Sequence, residues 1–168
     1  MSSACSRIAK WSGALALCAA AIACSPSETH ELSVTVRSAI ADSVAQATRD
    51  FAAAYSKLDP RALDVFLRAD GEFRGYYGNN RFDSYQDRRG RPNPFADTRS
   101  GVVRIDSMHI TVLDHKAAVV AAYAYGVWTD TAGRVERAKE YVTYVWTREL
   151  DGWRILHFHP SERPDTVR

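Results

Sequence analysis

After Cys24 the 168-residue sequence contains no cysteine; its three, Cys5, Cys18 and Cys24, all fall near the start. A domain built from the remainder folds without disulfides and has no thiol to offer as a nucleophile. A membrane-spanning run is lacking too: the apolar stretch from Trp11 to Ile22 is broken by Ser12 and Gly13 and falls short of the roughly 20 residues a bilayer requires. Charge of one sign is also missing. The formal charge is +2, and losing Arg7 and Lys10, which precede the first acidic residue, Glu28, brings it to zero. A neutral domain gives no reason to propose nucleic acid as a partner. No internal repeat is visible.

What is present begins with an address. Arg7 and Lys10 stand ahead of the apolar stretch, and small residues precede a cysteine, the layout of a secretory signal. Ala21-Ile22-Ala23-Cys24 resembles the lipobox of bacterial lipoproteins. That resemblance implies cleavage before Cys24, lipidation of that cysteine, and an exported protein held on the periplasmic or cell-surface side by its lipid anchor only. Cys18 fits less well, because Leu17 sits where a small residue is needed. The chain then divides into a signal over 1–23, a lipidated cysteine and tether over 24–31, one domain over 32–162 and a polar tail over 163–168. What remains suffices for one core and is too short for two ordinary domains.

Between Thr29 and Leu58 the apolar residues Val36, Ile40, Val44, Ala47, Phe51, Tyr55 and Leu58 recur at steps of three or four, predicting a long amphipathic helix. Asp59-Pro60 reads as an N-cap followed by proline at the first helical position of a short second helix, with Leu63, Phe66 and Leu67 buried. Glu72 to Tyr77 suits a strand. Asn79 to Gly101, rich in Arg, Asp, Gly, Pro and Asn, reads as an excursion, with a helical turn around Ser84 to Arg88. Four strands follow: Val102 to Leu113, Ala117 to Trp128, Val135 to Glu149 and Trp153 to Ser161. Helices followed by an antiparallel meander predict an α+β fold with the helices on one face of a curved sheet.

"YSKLDPRALDVFLRADGEF" (Tyr55 to Phe73) and "VTYVWTRELDGWRILHFHPS" (Val142 to Ser161) resemble the SnoaL-like branch of the nuclear transport factor 2-like superfamily. They are also similar to the association domain of calcium/calmodulin-dependent protein kinase II. The resemblance implies a cystatin-like cone, with a pocket between sheet and helices and dimerisation through the sheet's outer face. It leaves function open, since the superfamily includes isomerases, cyclases, dehydratases, ligand carriers and inactive oligomerisation modules.

In "WRILHFHPS" strict alternation places Trp153, Ile155, His157 and His159 on one face. In the family the tryptophan side faces the helices, so both histidines are expected to point into the pocket. A two-residue Asp151-Gly152 turn pairs Trp146 with His157 and Tyr144 with His159. A three-residue turn with a bulge pairs Val145 with His157 and Thr143 with His159. The first is preferred, because the kinase-association relative carries a pocket-lining arginine at the position matching Tyr144. Arg74 roughly matches another polar pocket position of that relative.

The expected ligand-binding set is Tyr55, Arg74, Tyr144, Trp146, His157 and His159. Were the protein an isomerase, dehydratase or hydrolase, His157 or His159 would act as base and Tyr144 as hydrogen-bond donor. The histidines equally suit hydrogen bonding within a half-polar core. A His-x-His metal site would need a third ligand that His109 and His115 do not clearly supply, so no metal or other cofactor is expected. Asp59 is explained as a cap, Asp64 as solvated, and Glu136 and Glu140 as an exposed strand end. The aromatics Tyr123, Tyr125, Trp128, Tyr141, Tyr144 and Trp146 provide both a ligand wall and a sticky outer surface. The favoured reading is an exported, lipid-anchored domain that binds a small, partly apolar molecule or a partner. An enzyme and a non-catalytic oligomeric scaffold are the alternatives.

Overall fold

The computed structural model describes residues 31–77, 80–82 and 84–163. The signal, Cys24 and its tether up to residue 30, and the tail beyond 163 lie outside the described residues.

Helix α1 spans Val34–Tyr55, with the Ser33 side chain accepting from the Val36 amide at its start. Its buried face carries Ile40, Val44, Thr48, Phe51, Ala52 and Ala54; of the predicted stripe Ile40, Val44 and Phe51 are buried, Ala47, Tyr55 and Leu58 are partly buried, and Thr48, Ala52 and Ala54 are additions. Thr48 satisfies its hydroxyl by donating to the Val44 carbonyl (2.9 Å), so this polar residue is buried at little cost. Val36 stays exposed. Helix α2, Pro60–Asp64, begins as expected: Asp59 Oδ1 accepts from the Arg61 amide at 2.9 Å and Pro60 takes the first helical position.

Strand β1 (Arg74–Tyr77) pairs antiparallel with β2 (Asn80–Phe82), a strand the excursion did not reveal, and α3 (Tyr85–Gly90) follows, capped by Ser84. The long strands are β3 (Thr98–Val112), β4 (Ala117–Asp130), β5 (Val135–Glu149) and β6 (Gly152–Arg163), and the sheet order is β2-β1-β6-β5-β4-β3. β3 to β6 form the predicted antiparallel meander. β1 departs from it by joining β6 in parallel, through Arg74 opposite His157 and Gly75 opposite Phe158.

Alternate residues of β4 and β5 face α1, including Ala118, Val120, Ala122, Ala124, Val142, Tyr144 and Trp146. Trp146, Phe73 and Ile155 are the largest completely buried side chains of this core, and α1 lies closest to β3. Three long-range bonds fix α1 on the sheet: Arg37 Nη1 to the Val112 carbonyl (2.7 Å), Trp153 Nε1 to Ser43 Oγ (3.0 Å) and the Val103 amide to Ser56 Oγ (2.9 Å). Among the described residues no helix is long and apolar enough to cross a membrane.

Candidate functional site: an aromatic neck beneath an arginine-lined mouth

The register of β6 decides what faces the pocket, and it changes within the strand. Arg148 lies opposite Trp153 and Trp146 opposite Ile155, but the next pair is Val145 with His157. Leu156 is therefore an extra residue, a β-bulge. Strict alternation from Trp153 is overturned at that point. Trp153 and Ile155 face inward, and beyond the bulge so do Phe158 and Pro160. The turn is neither of those expected, for Glu149 pairs with Gly152 across Leu150-Asp151, and Gly152 takes the positive φ of +132°; the preferred pairing of Trp146 with His157 and Tyr144 with His159 is overturned, and the second, Val145 with His157 and Thr143 with His159, is the one found beyond the bulge.

A change of partner on the far side of β6 accounts for the bulge. Ile155 donates its amide to the Phe66 carbonyl (2.6 Å) and accepts from the Arg68 amide (3.1 Å), whereas His157 and Phe158 pair with β1. One strand serves two neighbours that are not collinear, and an extra residue lets it turn from one to the other.

His157 and His159 consequently lie on the outer face, correcting the expectation that both point into the pocket. They share that face with Val145 and Thr143, their cross-strand partners. Their rings meet the Tyr76 ring edge-on, at centroid distances of 5.8 and 5.5 Å. His159 is exposed and His157 half-buried. Burial, and secondarily the charge of His159, hold His157 below the usual histidine pKa. Arg74 lies outward as well, its Nη1 donating to the Gly71 and Phe73 carbonyls at 2.6 and 2.8 Å. Trp146 is completely buried, but in the core rather than against a cavity.

Tyr55 and Tyr144 are where they were expected, inside the cone. With Phe51, Ala124, Trp128, Glu140, Val142 and Phe158 they enclose a narrow cavity of about 40 Å³. Aromatic edges set its shape: Phe51 meets Tyr55 and Tyr144 at 5.9 Å each, and Phe73 stacks on Phe158 at 6.0 Å. Two glycines make room for rings. A Cβ on Gly75 would fall 2.6 Å from the Phe158 ring, and one on Gly126 would fall 1.9 Å from Trp128.

Glu140 is the site residue that sequence reasoning misjudged. Expected at an exposed strand end, it lines the inner cavity instead, and its Oε1 is shut off from solvent. The signal was available: Glu140, Val142 and Tyr144 share parity on β5, so fixing Tyr144 inward fixes Glu140 inward as well. Burial, then the Glu140 charge, push the Tyr55 hydroxyl up to about 12 and raise Tyr144 further. Both phenols are thus held as proton donors beside a carboxylate.

Phe51, Tyr55 and Phe158 also border a second, wider cavity of about 740 Å³, walled by α2, α3 and residues 91–94. The inner cavity is therefore the neck of a vestibule whose volume falls within the range of small-molecule sites. Asp64, expected to be solvated, is instead mostly covered and holds α3 against α2 through a salt bridge to Arg88. Among the described residues no group of three or more His, Cys, Asp and Glu side chains gathers to hold a metal ion.

Residues 41–164 match the profile of the calcium/calmodulin dependent protein kinase II association domain. Among solved structures, a nuclear transport factor 2-like superfamily protein from Salmonella enterica serovar Typhimurium aligns with a TM-score of 0.64 at 17% identity, covering 79% of this chain and 94% of its own. The hub homology domain from Chlamydamonas reinhardtii gives 0.59 at 16% identity, covering 74% and 98%. A type 2 hexachlorocyclohexane dehydrochlorinase gives 0.65 at 8% identity, covering 77% and 88%. At these identities the structural likeness carries the fold alone: a nuclear transport factor 2-like α+β cone. No curated protein matches the sequence.

Proposed function

Since the chain belongs to the calcium/calmodulin dependent protein kinase II association domain family, we infer that it is an exported, lipid-anchored member that binds a small, partly apolar molecule in its cone as a homodimer. The observation that carries this reading is the continuity of the aromatic neck with the 740 Å³ vestibule through Phe51, Tyr55 and Phe158. The neck alone, at about 40 Å³, would suit a scaffold plugged by its own side chains. The vestibule supplies the volume a ligand needs, and the neck supplies aromatic surface at its floor.

Native mass spectrometry of protein taken from the source organism tests this directly. A dimer carrying a small molecule is expected, and an empty protein with ligand-free subunits would refute the binding reading. The anchor is tested by lipid labelling at Cys24: Cys24→Ser should release the protein from membranes, and a variant that stays bound would contradict it.

One observation favours a second reading, acid–base catalysis. Glu140 shares the neck with Tyr55 and Tyr144, so a substrate seated there would meet a carboxylate able to take a proton and two phenols able to polarise an oxygen. The histidines have no part in this version, because they lie across the sheet. Turnover of an identified ligand that Glu140→Gln abolishes while binding persists would establish it; unchanged turnover would dismiss it.

A further inference from the structure

At one end of the sheet two neighbouring turns carry leucines where turn chemistry favours small polar residues. Leu150, in the turn from β5 to β6, is 109% exposed, and Leu113, in the turn from β3 to β4, is 57% exposed. The Arg148 amide donates to the Lys116 carbonyl at 2.7 Å, which sets the two turns side by side. The start of α1 lies at the same end, since Arg37 reaches the Val112 carbonyl, and Val34 there is 86% exposed. The remaining long hairpin is built differently. Between β4 and β5 the turn is Thr131-Ala132-Gly133-Arg134, with no large apolar residue, and the Thr131 amide bonds the Asp97 carbonyl (2.9 Å), close in sequence to residues 91–94 of the vestibule wall. The apolar turns and the mouth thus stand at opposite ends of the strands.

Charge does not select the leucine-bearing end. Residues 113–116 and 148–154 hold Lys116, Arg148 and Arg154 against Asp114, Glu149 and Asp151, an even balance. What this end does have is the way out of the domain: Cys24 stands seven positions before Glu31, where the described structure begins. Even fully extended, seven residues span no more than about 25 Å. Resting on the lipid-anchored reading inferred above, the geometry points to a docking surface for the bilayer itself. Leu113, Leu150 and Val34 enter the interfacial layer of the membrane that holds Cys24, and the vestibule mouth is thereby turned away from it. Lys116 and Arg148 flank the leucines on stems long enough to keep their charges at headgroup level.

The acylated protein, reconstituted into phosphatidylethanolamine–phosphatidylglycerol vesicles, tests the inference. Cys5 and Cys18 leave with the signal and Cys24 carries the lipid, so Leu150→Cys offers one thiol for an environment-sensitive fluorophore. Its emission should shift to the blue and be quenched by brominated acyl chains, whereas the same label at Ala132→Cys in the opposite turn should report water. Leu113→Asp, at an exposed position, should cut the quenching at 150 several-fold with Tm unchanged. Added salt should leave the quenching intact, because the contact is apolar. Water-like emission at both positions, or quenching that Leu113→Asp leaves alone or that salt abolishes, would overturn the docking surface. Mass measurement of the same sample separates this from the anchor: an acylated protein whose label at 150 stays in water keeps the anchor and loses the docking surface, and a chain without acyl groups at Cys24 removes both.

Discussion

Ahead of the bulge, β6 places Trp153 and Ile155 under α1; after it, the same strand places Phe158 under α1 and sends His157 and His159 to the opposite side. The two halves have the same partner, β5, and each carries a large aromatic residue that packs inward. Where a side chain of this strand ends up is set by the count of residues since the last irregularity, and one extra leucine reverses it.

Several substitutions sharpen that contrast. Trp146→Ala and Ile155→Ala, both completely buried ahead of the bulge, should cost about 3–5 and 2–5 kcal/mol in chemical denaturation. Phe158→Ala should cost about 3 kcal/mol and enlarge the neck, since this ring is inward-facing after the bulge. A negligible effect for Phe158 would mean that the register does not change at Leu156.

The inner face should also betray itself in alkali. Tyr55 and Tyr144 have folded-state pKa values raised above the ordinary tyrosine value of 10.0, so the unfolded chain gives up their protons first. Stability should therefore decline as pH rises above about 10, and Tyr55→Phe should flatten part of that decline in melts taken between pH 9 and about 11. The outer face responds at the other end of the scale. His157 is held below 6.5 when folded, so the unfolded chain binds its proton more readily. Stability is lost as pH falls from about 6.5 through that lowered value, and His157→Gln should remove this increment. Smallest of all, His159→Ala should change stability by no more than about 0.5 kcal/mol, the usual result for an exposed position. A loss comparable to that of Phe158→Ala would place its ring inside after all.

Local signals carried much of this fold. The apolar period of α1, the Asp59-Pro60 start of α2 and the four long strands each rest on contacts within a few residues or on a repeating pattern, and each was legible. A helical turn was also legible around Ser84 to Arg88, where α3 lies. The parallel pairing of β1 with β6 was not, because it joins segments about eighty residues apart with no turn to announce it. The bulge is a consequence of that pairing. "ILHFHP" contains nothing between Ile155 and His157 that would mark an irregularity, and the need for one arises only when residues 66–68 and β1 compete for the same edge. Tyr55 and Tyr144 were located correctly because their parity is counted from undisturbed elements. Glu140 was open to the same count, but its place near the strand's start was given more weight than its phase.

The middle position of β6 in the sheet has a temporal corollary. β5 and β1 are held together only across this strand, so a nascent chain released before Gly152–Arg163 has been made possesses a three-stranded meander and a stranded hairpin with open edges on both. Closure must await β6, and until that strand is in place the edges of β5 and β1 that it will cover stay open to wrong partners.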